Sequence, residues 1–106
     1  MIRQARADIV PGKLVGVVLD PVRDIIPGAT ITIRGRRFRR EFWSSNEGTY
    51  SIDVPSGTYR IRIKHPGFLP FRRTIHIRSN NVMRVEVVLH LNPRFYGKTW
   101  IVTKRG

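Results

Sequence analysis

The sequence predicts an all-β fold, a sandwich of two sheets made from seven short strands, on three observations. Short stretches alternate apolar and polar side chains with period two, the repeat of a half-buried strand. Each stretch ends at a cluster of Gly, Pro, Asn, Asp or Ser, the residues of tight turns. No segment of useful length spaces its apolar residues as a helix needs to bury one face.

Taken in order, Lys13–Leu19 is rich in Val and Leu and reads as a buried strand, followed by a loop at Asp20–Asp24 and a turn at Ile26-Pro27-Gly28. Ala29–Arg34 puts Ile31 and Ile33 on one face and Thr30, Thr32 and Arg34 on the other. Arg36–Trp43 places Phe38 and Phe42 together, opposite Arg37, Arg39 and Glu41. After the polar turn Ser44–Gly48, Thr49–Val54 directs Tyr50, Ile52 and Val54 inward. Pro55-Ser56-Gly57 turns the chain into the cleanest alternation, with Tyr59, Ile61 and Ile63 inside and Arg60, Arg62 and Lys64 outside. His65–Phe68 is a turn, and Phe71–Arg78 points Ile75 and Ile77 inward. Ser79-Asn80-Asn81 leads into Val82–Leu91, where Met83, Val85, Val87, Leu89 and Leu91 share a face. The expected core is Ile31, Ile33, Tyr50, Ile52, Tyr59, Ile61, Ile63, Ile75, Ile77, Val85, Val87 and Leu89. Gly48, Gly57 and Gly67 are expected at turn positions, at least two of them with positive φ, which glycine adopts at little cost.

The chain has 106 residues, enough for one domain with its own core, and its 41% hydrophobic content argues against disorder. It has no cysteine, which excludes disulfides, thiol nucleophiles and thiolate-bound zinc. Lys and Arg total 20 against 7 acidic residues, a formal charge of +13. A field of that sign attracts acidic proteins, nucleic acid, anionic lipid or acidic polysaccharide without choosing among them. The residues from Met1 to Asp8 contain no apolar signal-peptide core, and no apolar run approaches the ~20 residues of a membrane-spanning helix. A cytoplasmic location is the expectation if the chain is complete.

Four motifs stand in order along the chain: Gly16-Val17-Val18-Leu19-Asp20 with Ile26-Pro27-Gly28-Ala29-Thr30-Ile31, then Ser44-Ser45-Asn46-Glu47-Gly48-Thr49-Tyr50, then Pro55-Ser56-Gly57-Thr58-Tyr59, and then His65-Pro66-Gly67-Phe68. Together they resemble the carboxypeptidase regulatory-like domains of the transthyretin (prealbumin) type. Ser45 stands where that pattern usually has Asp, which removes a turn-stabilising carboxylate. The resemblance implies a seven-stranded Greek-key sandwich, prealbumin-like or Ig-like, over residues 13–91. It leaves an N-terminal segment at 1–12 and a short basic and aromatic C-terminal extension at 92–106. It also implies an accessory module; many such domains are classed as carbohydrate-binding-like by fold.

Catalysis finds little support. His65, His76 and His90 fall on separate elements, and the carboxylates are too scattered for an acid–base pair. No phosphate-binding loop or nucleophile elbow is present. The fold's enzymatic relative, the hydroxyisourate hydrolase, ends in Tyr-Arg-Gly-Ser, whereas this chain ends Thr103-Lys104-Arg105-Gly106. No catalytic residue, metal or cofactor is therefore expected.

The basic residues are the candidate site: Arg37, Arg39, Arg60, Arg62, Lys64, Arg72 and Arg78, with Trp43 and Trp100 as aromatic contacts. The leading expectation is an interaction module whose basic face docks an acidic protein or anionic surface in a multi-subunit assembly. The alternatives are a carbohydrate-binding accessory domain and a protein that grips the phosphate backbone of nucleic acid. An aromatic platform favours sugar, an arginine stripe interleaved with aromatics favours nucleic acid, and a basic face beside an apolar patch favours a protein.

Overall fold

The computed structural model describes residues 10–94. Over these residues the chain forms seven strands: β1 (Gly12–Leu19), β2 (Thr30–Arg34), β3 (Arg39–Trp43), β4 (Thr49–Val54), β5 (Gly57–Lys64), β6 (Phe71–Ile77) and β7 (Val82–Val88). They lie in two sheets, one ordered β4-β1-β7 and the other β3-β2-β5-β6. The two-sheet, seven-stranded sandwich expected from the alternation is the fold observed. Four of the strand pairings are antiparallel, and β1 and β7 run parallel. Period two reports which face a side chain occupies, and it is the same for both pairings.

The inner faces meet in one core containing Leu14, Val18, Ile31, Ile33, Tyr50, Val54, Tyr59, Ile61, Ile63, Ile75, Ile77, Val85, Val87 and Leu89. Of the expected core only Ile52 differs: it packs against the cluster but is half-buried. The reason is its strand. Ile52 lies on β4, an edge of the three-stranded sheet, and Met83 on β7, Phe42 on β3 and Phe71 on β6 are half-buried edge residues in the same way.

Two strand boundaries differ from expectation by more than one residue. β3 begins at Arg39, because Gly35 donates its N–H to the carbonyl of Phe38 and closes a turn across Arg36 and Arg37. β7 ends at Val88, because its neighbour β1 has ended at Leu19. Beyond that point the chain bends toward the β5–β6 loop, where Leu69 donates to the His90 carbonyl and Phe68 bridges Leu91. The bend breaks the alternation and leaves Leu91 exposed.

The sequence motifs prove to be ties between the sheets and turns. Ser44 Oγ accepts from the Ala29 N–H and donates to the Ile26 carbonyl, fastening the Ile-Pro-Gly-Ala turn to the end of β3. Asp20 Oδ1 accepts from the N–H groups of Val22 and Asp24. Ser45 Oγ accepts from those of Glu47 and Thr49, replacing the carboxylate usual at that position. Gly48 and Gly67 have positive φ, 77° and 86°, as the turns require, and Gly57 opens β5.

Ile61 is fully buried in the central strand β5, so Ile61→Ala is expected to lower stability by about 2–5 kcal/mol in chemical denaturation. A loss below about 1 kcal/mol would contradict this packing. Tyr50 gives a second expectation. Its hydroxyl donates to the Val85 carbonyl at 2.7 Å, and burial pushes its pKa up to about 12, with Arg73 pulling it down less strongly. The unfolded chain releases this proton near pH 10 while the folded chain holds it. The contribution is therefore complete below pH 10 and is lost as pH rises through 10–12. Melting temperatures across that window should fall, and Tyr50→Phe should flatten most of the fall.

Candidate functional site

The cationic side chains gather on the outer face of the four-stranded sheet, and the strand register places them. On each strand the outward positions alternate with core residues: Arg39, Glu41 and Trp43 on β3, Thr30, Thr32 and Arg34 on β2, Arg60, Arg62 and Lys64 on β5, Arg72 and Thr74 on β6. Pairing lines these up in rows across the sheet. Arg39, Arg34, Arg60 and Thr74 are successive cross-strand neighbours. The next row is Glu41, Thr32, Arg62 and Arg72, and the third is Trp43, Thr30 and Lys64. Neighbours within a row are ~4.8 Å apart along the sheet, and successive rows ~6.5–7 Å apart. The face holds a shallow groove of about 280 Å³ lined by six cations and one carboxylate, Glu41.

The opposite sheet carries a different balance. On its outer face Lys13 pairs with Asp53 at 3.0 Å, and Glu86 on β7 pairs with Arg23. These are the ion pairs among the described residues. Arg84 lies beside Val15 on that face, away from the arginine rows.

Five of the expected anion-contact residues, Arg39, Arg60, Arg62, Lys64 and Arg72, therefore share one surface. Arg37 and Arg78 do not join it. Arg37 stands in the β2–β3 turn, and Arg78 follows the end of β6, six residues from Arg72 or about 20 Å along the strand. Arg40 and Arg73, which directly follow Arg39 and Arg72, go elsewhere too. The Arg40 guanidinium sits 4.8 Å over the Phe38 ring, and Arg73 takes the inner-face position opposite Ile61. Arg34 joins the surface although it was not among the candidates; its place depends on the pairing of β2 with both β3 and β5.

Trp43 is 61% exposed and is the exposed aromatic ring among the described residues; Trp100 lies outside them. Trp43 ends its strand at the end of the sandwich whose loops also carry exposed Val22, Ile25, Leu69 and Leu91. The three histidines are apart. His76 on β6 bonds Thr58 Oγ1 at 3.0 Å, His65 reaches the Pro66 carbonyl and packs edge-on against the Phe68 ring, and His90 follows β7. Among the described residues no three His, Asp or Glu side chains come together as a metal site, and no helix is long and apolar enough to cross a membrane.

No curated protein sequence matches the chain. Among solved structures the fold is similar to the minor pilin of Streptococcus agalactiae, at 13% identity and a TM-score of 0.61, covering 80% of this chain and 47% of that one. It is similar to a putative carbohydrate binding protein from Bacteroides uniformis, at 18% identity and a TM-score of 0.62, covering 76% and 41%. A chlorocatechol 1,2-dioxygenase from Pseudomonas putida matches at 11% identity and a TM-score of 0.67, covering 78% and 61%. The chain thus spans less than two thirds of each, and at these identities the likeness is one of fold. The sequence goes further: residues 13–90 match the model of the carboxypeptidase regulatory-like domain, and the chain belongs to that family.

Proposed function

We propose that the outer face of β3-β2-β5-β6 docks an acidic protein surface, and that the chain works as a non-catalytic interaction module within a larger assembly. One observation carries this reading. Arg34 faces Arg39 on one side and Arg60 on the other, and Arg62 faces Arg72. Like charges set directly opposite one another destabilise a sheet. A surface that serves only solubility intersperses the two signs, as the outer face of the other sheet does. An arginine-rich surface also suits carboxylates, which the guanidinium fork binds in pairs of hydrogen bonds.

A protein partner is favoured over nucleic acid because the rows contain no interleaved aromatics; Trp43 stands at their end, where exposed apolar side chains begin. Interfaces combine such apolar anchors with a polar rim. Membership of a regulatory-like family and the shared fold of a pilin subunit fit a role in assembly. The dioxygenase with the same fold is a reminder that function resides in sites, so the non-catalytic reading rests on the scattered titratable side chains. Carbohydrate is the second reading, favoured by the Trp43 ring exposed next to Thr30 and Lys64.

The test compares the wild type with Arg60→Glu/Arg62→Glu for binding to immobilised poly-L-glutamate between ~50 and ~200 mM salt, where screening lengths fall to ~10 Å and below. Binding that is lost in the variant and with salt supports the basic face. Binding indifferent to both overturns it. Binding to polysaccharide that ignores salt but is lost in Trp43→Ala supports the carbohydrate reading.

A further inference from the structure

A cavity lies next to the basic face. At the end of the sandwich opposite Trp43, the β2–β3 turn and the β4–β5 turn enclose about 620 Å³, a volume in the range of ligand sites. The walls are aromatic and held in place. Phe38 and Tyr59 meet edge to face with centroids 5.7 Å apart. The Tyr59 hydroxyl donates to the Pro55 carbonyl at 2.7 Å, fixing the far wall. Gly35 lies so close to the Tyr59 ring that a Cβ there would overlap it. The charged residues lining the cavity are Arg36 and Arg37, both exposed. Phe38 leads directly into Arg39, and Thr58, on the cavity wall, precedes Arg60 by two residues on the same face of β5. The cavity thus lies next to the arginine rows, at their Arg39–Arg34–Arg60 end, without sharing their residues.

We propose that this cavity receives an aromatic side chain of the acidic partner, flanked by carboxylates that pair with Arg36 and Arg37, the acidic segment then running onto Arg39, Arg34 and Arg60. The proposal rests on the reading of the basic face as a docking surface and names what anchors the partner there. Charge complementarity selects an acidic neighbourhood, since no carboxylate lines the cavity. The half-buried Phe38 ring, backed by the buried Tyr59, offers the cavity an aromatic surface and selects an aromatic occupant, because aromatic pairs gain from edge-to-face and offset packing beyond the area they bury. An aromatic seated in a pocket and ringed by charged contacts is the usual form of an interface hot spot.

The experiment uses the full chain at ~50 mM salt and two fluorescein-labelled synthetic peptides, each a run of glutamates with a single internal phenylalanine or, in its place, alanine. Fluorescence anisotropy should show the phenylalanine peptide binding about tenfold more tightly, in line with burial of one aromatic side chain. Ser56→Trp, at an exposed turn position on the cavity wall, and Phe38→Ala should both abolish that advantage, so that the two peptides bind each variant alike. Thermal melts of both variants establish that they are folded. Equal binding of the two peptides, with both lost in Arg60→Glu/Arg62→Glu, overturns the cavity and leaves the basic face standing. A phenylalanine advantage that survives both cavity variants also overturns it. If neither peptide binds, the docking face falls and the anchor with it.

Discussion

Gly16→Ala is expected to lower the melting temperature by about 15 °C or more, corresponding to a loss of about 3 kcal/mol or more in a domain of this size. Gly16 sits in the middle of β1, between Tyr50 on β4 and Val85 on β7. The Tyr50 ring crosses directly over it so that the hydroxyl reaches the Val85 carbonyl. A Cβ at position 16 would overlap that carbonyl oxygen and the tyrosine hydroxyl, and would lie 2.6 Å from Tyr50 Cζ. β1 is the central strand of its sheet, and its backbone is held by both neighbours, so it has no room to move aside. The ring and the β7 backbone at Val85 must both give way, losing the hydrogen bond and the ring's packing in the core. Gly28→Ala is the control. Gly28 has φ of 70° but open space where a side chain would stand, so only backbone strain is added, about 1 kcal/mol. Equal effects of the two substitutions would show that Gly16 is not kept for the tyrosine.

The contrast between these glycines shows what the sequence made legible. The turns were readable because their ties are local: Asp20 reaches Val22 and Asp24, and Ser45 reaches Glu47 and Thr49, within four residues. The faces of the strands were readable because alternation reports them directly, and Ile61 and Ile63 are fully buried as expected. Lateral position in a sheet leaves no such trace. Ile52 and Ile61 look alike in sequence, yet one lies on an edge strand and the other at the centre. The site divides along the same line. Arg60, Arg62 and Lys64 share a strand, so their common face followed from spacing alone. That Arg34, Arg39 and Arg72 join them depends on cross-strand register between β3, β2, β5 and β6, which no local pattern encodes. Arg37 and Arg78 stand apart because β3 starts, and β6 stops, short of them. The family motifs were the clearest signal in the chain, and the structure uses them for turns and for the Gly16–Tyr50–Val85 contact. They identify the fold and leave the proposed docking face to charge and register.

Arg60→Glu/Arg62→Glu should move stability and binding in opposite directions. Both side chains are exposed, and neither is hydrogen-bonded into the core. A carboxylate at position 60 faces Arg34, and one at position 62 faces Arg72, so two repulsive cross-strand contacts become attractive. Each such pair is worth a few tenths of a kcal/mol up to about 1 kcal/mol. Glutamate's poorer fit to a strand opposes this by less than about 1 kcal/mol. The variant should therefore melt at or slightly above the wild-type temperature. Binding responds much more strongly. The double substitution changes the charge of the face by four units and turns two attractive contacts with the partner into repulsive ones. At ~0.5 kcal/mol or more for each of the two attractions lost and each of the two repulsions gained, affinity for poly-L-glutamate should fall about 30-fold or more at ~50 mM salt. The difference should shrink by ~200 mM as screening weakens both terms. A variant that binds weakly because it is unfolded would melt early, and one whose charges serve only solubility would bind as the wild type does. A variant that is stable and does not bind shows that the sheet tolerates facing arginines because a partner's carboxylates meet them.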